Sequence, residues 1–202
     1  LDRHAEDTSN KAANLAHNFV MMTLISFDDP GLVVLGYHRT LNNVPADKLA
    51  NIRAKLDQLF DSEPLSGDSD ALIEQVNRLG VYRRLLASVD SGGAKMLTLK
   101  DSAVDPSWGS LAASEAWVLE EQVLRPELGD ATLDHLDFMH DHEDAVGQAK
   151  SGKLQMVFLL KPFPLDAFDS IVGGGQRLPR KSTFFFPKLP TGLVINRLEG
   201  EL

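Results

Sequence analysis

Apolar positions recur along the chain in two rhythms. The three-and-four spacing of a helix with one buried face appears over 45–60 (Leu49, Ile52, Leu56, Leu59) and 70–79 (Leu72, Ile73, Val76, Leu79). Pro45 suits the first turn of the former, and Gly80 suits the end of the latter. A longer helix is predicted over 110–128, with Leu111, Val118, Leu119, Gln122 and Val123 inward. Two shorter helices are expected at 142–150, capped by Asp141 and ended by Gly152, and at 165–172 before Gly173-Gly174-Gly175. Residues 7–16 read as the end of a further helix.

Continuous or alternating apolar runs predict strands at 17–27, 32–39, 136–139 and 154–160, with a last extended unit made of the aromatic stretch 184–186 and 192–198. Asp28-Asp29-Pro30-Gly31 separates the first two as a turn. Residues 81–89 and 95–99 form a hairpin across 90–93, while 62–68 reads as a loop. Strands and helices interleave without a repeat or a linker. The expectation is a single α+β domain over 1–202, with helices packed on a mixed, largely antiparallel sheet.

Composition narrows the function classes. Hydrophobic content of 43% with 24% charged residues is ample for a core. A net charge of −9 argues against nucleic acid and anionic membranes as general partners. The absence of cysteine removes disulfides and thiolate chemistry and fits a reducing, cytoplasmic compartment. No stretch approaches the roughly 18 apolar residues of a membrane span. The first residue is Leu1, and the chain is read as part of a longer protein.

Three motifs could carry chemistry. In 173–183 three glycines precede Arg-Lys-Ser-Thr, but Arg180 stands where a phosphate loop needs glycine before the lysine. What remains is an anion or substrate site built from Arg180, Lys181, Ser182, Thr183 and Lys188. The bland alternative is an irregular turn whose hydroxyls bond backbone and whose cations reach solvent. Tyr37-His38-Arg39 closes a buried strand, and His38 is a candidate general base or phosphate donor; a hydrogen-bonded strand-edge histidine is the competing reading. Among His135, His140, Asp141, His142, Glu143 and Asp144, the residues His140, Asp141 and His142 are candidate metal ligands. Helix starts gather acids for capping alone, so no metal is assigned.

The run 178–194 (LPRKSTFFFPKLPTGLV) resembles the closing block M-P-Q-K-S-T-Y-F-Y-P-K-L-P-T-G-L-V of the domain-of-unknown-function family 1015. Residues 18–24 (NFVMMTL), 28–35 (DDPGLVVL) and His38-Arg39 look like further blocks of that family, as do His140-Asp141, Glu143, Ala145, Gly152 and 158–160. Full members carry an N-terminal region similar to the ParB/sulfiredoxin superfamily, which includes an ADP-dependent free-serine kinase. Its D-G-H-H-R-Y-E-like motif has no match here, Asp2-Arg3-His4 included. Tyr37 replaces the family's threonine, and Glu120 stands where a histidine is expected.

The resemblance implies a C-terminal region that completes a small-molecule phosphoryl-transfer site formed mainly upstream. The parent would be a kinase or phosphatase, with serine or phosphoserine as substrate and ADP or ATP with Mg as cofactor. His38 and Arg39 would be catalytic, and Arg180, Lys181, Ser182, Thr183 and Lys188 would bind the anion. The partner would be the chain's own N-terminal region or a small phosphorylated metabolite, and this chain alone would be silent. The alternatives are a non-enzymatic binding or regulatory module that uses the aromatic-basic stretch 180–193, and a metal-dependent hydrolase.

Overall fold

The computed structural model describes residues 15–26, 29–81, 83–188, 190, 192–197 and 199. The chain divides into two compact units, 34–186 and 1–33 with 187–202.

The larger unit is α+β. Its sheet has the strand order β3-β5-β4-β7-β2-β6. The strands are β2 (His38–Leu41), β3 (Phe60–Leu65), β4 (Leu85–Asp90), β5 (Gly93–Leu99), β6 (Leu136–Met139) and β7 (Met156–Leu159). Every pairing is antiparallel, so the expected mixed sheet is antiparallel throughout. β1 (Val33–Leu35) and β8 (Phe184–Phe186) form a separate two-stranded ladder.

Alternation along the strands loads both faces of the sheet. Leu86, Leu97, Leu99, Phe158 and Leu41 lie in one core with Ile52 and Leu56 of α1 (Ala46–Leu59) and with Leu119 and Val123. Leu85, Ala87, Val89, Val157 and Leu159 point the other way. There they meet Leu72 and Val76 of α2 (Ser69–Gly80) and Ala145, Val146 and Ala149 of the 142–150 helix. Each such fully buried Leu, Val or Ile contributes about 1.5–3 kcal/mol. Three layers result, helices against both sides of one sheet.

Several expectations shift. The hairpin forms as Leu85–Asp90 and Gly93–Leu99. Residues 62–65 of the supposed loop instead complete β3, whose exposed polar side chains hid an edge strand. The 32–39 strand is broken in two. A Cβ on Gly36 would lie 2.6 Å from the Leu160 carbonyl oxygen, so the chain passes there at glycine distance before β2 begins. The long helix does not start at 110: a 3-10 segment spans Pro106–Ala113, and Ser114 is extended and caps the next turn through Oγ, accepting from the Trp117 amide.

That helix, α3 (115–128), is π-helical over Val118–Leu124. Pro126 has no amide hydrogen, so a regular four-residue ladder cannot run through it. Asp141 Oδ1 accepts from the Asp144 amide and caps α4 (His142–Lys150), and α5 (Leu165–Gly173) follows β7.

In the smaller unit, the segment expected as a buried strand at 17–27 is a 3-10 turn at Ala16–Asn18 followed by irregular, exposed chain through 26. Asn196 Nδ2 donates to the Ala16 carbonyl there, and Asp29 Oδ1 accepts from the Gly31 amide. Of the expected last extended unit, the aromatic stretch forms β8, and the described residues of 192–198 hold no strand. The expected helix end at 7–14, the Asp2-Arg3-His4 stretch, Phe27, Asp28 and Thr191 lie outside the described residues. No helix among the described residues is long and apolar enough to cross a membrane.

Candidate functional site

β2 lies between β6 and β7, and all four of its residues are buried. Side chains alternate, so Arg39 faces α3 with Leu41, while His38 faces α4.

Arg39 is 1% exposed. Its Nε donates to Glu120 Oε1 at 2.9 Å, and Nη2 lies 2.9 Å from the same oxygen. Nη1 donates to the carbonyls of Tyr37 (2.9 Å) and Lys181 (3.0 Å), and Nη2 to that of Arg180 (3.0 Å). Phe138 covers the guanidinium, 5.1 Å from ring centre to Cζ. All three guanidinium nitrogens are therefore engaged within the protein. Burial pulls the Arg39 pKa down and Glu120 pulls it back up; Glu120 is itself raised by burial. Arg39 was expected to neutralise phosphate. Its geometry instead makes it the peg that fastens 180–181 to the sheet.

His38 is 3% exposed, and its Nδ1 accepts from the Leu160 amide at 3.3 Å. Burial, followed by the charges of His142, Arg39 and His140, lowers its pKa to about 4. The ring is thus neutral at pH 7 with its proton on Nε2. A neutral imidazole with this tautomer donates a hydrogen bond; it is poorly matched to act as a general base at pH 7.

Around it stand the other candidates. The His38 and His142 rings meet edge-on at 6.3 Å. His140 packs on Phe184 at 5.2 Å, and Phe184 packs on Tyr37 at 5.2 Å. Lys181 Nζ lies 5.1 Å from the Tyr37 ring centre. Lys181 has φ 57°, a left-handed conformation that turns its carbonyl toward Arg39. Ser182 Oγ donates to the Pro179 carbonyl at 2.8 Å and keeps its lone pairs for another donor. Arg180 is exposed and Thr183 half-buried. Lys188 belongs to the smaller unit.

The metal candidates separate. His142 Nε2 is 2.7 Å from Asp70 Oδ1, and Asp141 is committed to its helix cap, which holds its carboxyl below the usual range. Among the described residues no three His, Cys, Asp or Glu side chains are grouped to hold a metal ion. Glu120 is the residue that sequence reasoning left without a role. Its signal in the sequence was that it stands where the family's histidine is expected.

The family model described as "Protein of unknown function (DUF1015)" matches residues 1–117. The chain belongs to that family. The blocks at 18–24, 28–35 and 38–39 fall inside the match, and those at 140–160 and 178–194 fall beyond it. No curated protein matches. Among solved structures, a conserved hypothetical protein from Pyrococcus furiosus is 15% identical, with TM-score 0.49, covering 83% of this chain and 62% of that one. A free serine kinase mutant in complex with ADP is 11% identical, with TM-score 0.50, covering 81% of this chain and 57% of that one. This chain thus spans about three fifths of the length of those structures.

Proposed function

We propose that this member of the family supplies the anion-holding wall of a small-molecule phosphoryl-transfer site, the rest of which lies in other parts of a longer parent. The observation that carries the reading is the peg: buried Arg39 fixes the 180–181 backbone beside the His38 edge, with the Lys181 ammonium over Tyr37. Phosphoryl transfer needs mainly positioning and charge compensation, and a rigid loop beside a fixed hydrogen-bond donor provides both.

In this reading His38 Nε2–H donates to a phosphate oxygen and Lys181 offsets its charge. Arg180, Ser182 and Thr183 line the approach, and Arg39 is a positioning residue. Serine or phosphoserine is the proposed substrate, with ADP or ATP and Mg held largely by the parent's remaining part. The fold shared with an ADP-bound free serine kinase is consistent with this, and the shared fold by itself leaves the chemistry to the site.

One observation favours a second reading, a binding module. Val20, Met22 and Leu24 are 78%, 72% and 86% exposed, and Leu193 and Ile195 are 77% and 79% exposed. So much apolar surface in the smaller unit suits a protein interface.

Thermal unfolding with inorganic phosphate, O-phosphoserine and ADP tests the first reading. A ligand at 100 times its Kd stabilises by about 2.7 kcal/mol, and Lys181→Ala should abolish the shift while the unliganded melting temperature stays near its original value. No shift with any of the three rejects the reading and leaves the module.

A further inference from the structure

A polar cavity lies in the larger unit, and none of its lining residues belongs to the His38–Lys181 cluster. Its volume is about 520 Å3, within the range of small-molecule sites. Its lining holds three cations, Arg83, Arg84 and Lys161, and three acids, Asp101, Glu115 and Asp166, together with Leu99 and Ala167.

On this wall Lys161 Nζ donates to Glu115 Oε1 at 2.5 Å, with the side chains 11% and 5% exposed. Lys161 also donates to the Arg83 carbonyl at 3.3 Å. Its stem lies where a side chain on Gly80 would be, since a Cβ there would fall 2.5 Å from Lys161 Cδ. Burial raises the Glu115 pKa against the pull of Lys161 and of the Glu115 and Leu85 amides.

Desolvating two charges is costly, and a buried pair is often no better for stability than apolar residues of the same volume. Here the pair faces a cavity and not a packed core. The Arg84–Asp101 pair has side-chain exposures of 33% and 96%, and screening makes such a contact weak. Opposed charges in equal number favour a ligand that carries both signs, because a singly charged ligand leaves one set of groups desolvated without a partner.

We propose that this cavity binds a small zwitterion of the α-amino acid type, with its carboxylate on Lys161 and its ammonium on Glu115. The choice of L-serine as probe rests on the phosphoryl-transfer reading; the class of ligand rests on the cavity alone.

Titration calorimetry of the whole chain with L-serine and with N-acetyl-L-serine, which lacks the ammonium, tests it. L-serine should bind, and N-acetyl-L-serine about 10- to 100-fold more weakly, the loss of one charged hydrogen bond. The double variant Lys161→Met/Glu115→Leu should lose binding by a similar factor. If that variant fails to fold, Ala167→Phe narrows the cavity without altering the pair and should weaken L-serine at least 10-fold. Absence of L-serine binding, equal affinity for the acetylated compound, or full affinity in folded Ala167→Phe overturns the proposal. Failure of the phosphate reading registers separately, as absence of the inorganic phosphate shift with L-serine binding intact.

Discussion

Arg39–Glu120 and Lys161–Glu115 are both buried ion pairs in the same unit, with N–O separations of 2.9 and 2.5 Å. They differ in what surrounds them. Arg39 has a carbonyl or carboxylate partner for each guanidinium nitrogen and an aromatic ring over its face. Lys161 has one carboxylate and one carbonyl, and its pair borders a cavity. A pair enclosed by protein partners holds structure, whereas a pair bordering solvent space can exchange its partner for a ligand. The physical distinction is the alternative available to each charge once the pair opens.

The sharpest way to break this comparison is Arg39→Ala. It leaves Glu120 buried without its cation and three carbonyls without donors, and should cost about 3–5 kcal/mol in urea unfolding. Phosphate binding should weaken as well, because 180–181 loses its anchor. Arg39→Lys should not restore either property, since an ammonium cannot reach both the carboxylate and the loop. A loss under about 1 kcal/mol would remove the peg.

Next in size is the response to acid. His38 has a folded pKa of about 4 and an ordinary value of 6.5, so the unfolded chain binds the proton more readily. Its contribution is present above pH 6.5 and is lost as pH falls through 4, to a total of about 3 kcal/mol. Urea midpoints between pH 7 and 4 should fall accordingly, and His38→Gln should flatten that part of the curve. An unchanged slope in the variant would mean that His38 is not held neutral.

The smallest effect concerns Lys181. Its φ of 57° strains any residue with a Cβ. Lys181→Gly relieves that strain but adds freedom to the unfolded chain, for a net gain of about 0.5 kcal/mol. The same change should remove the phosphate shift. Gain of stability with loss of binding would set this segment apart from the Arg39 peg, where both fall together.

Much of the fold was legible because one-sided periodicity forces a buried face. Leu72 and Val76 marked α2, Ile52 and Leu56 marked α1, and Asp141 with Gly152 bracketed α4. β3 escaped because Ser62, Glu63 and Pro64 read as part of a loop, while the β5 edge supplies its ladder. The 17–27 segment misled in the opposite sense: its apolar run looks like a core strand, yet its described residues beyond 18 are exposed. Of the candidate site, His38, Lys181 and Ser182 were visible as residue types, and the His140–Asp141–His142 group was visible as a composition without a geometry.

The sequence by itself determined the α+β class, most element positions and the family, since these depend on local spacing and on blocks of residues in order. Only the tertiary structure decided roles. It turned Arg39 from a free cation into an enclosed one, joined it to Glu120 across 81 positions, and brought Lys161 to Glu115 across 46. A charged side chain's function depends on which partners reach it and on how much water remains. Both are set by strand order and helix packing over distances that no local pattern encodes.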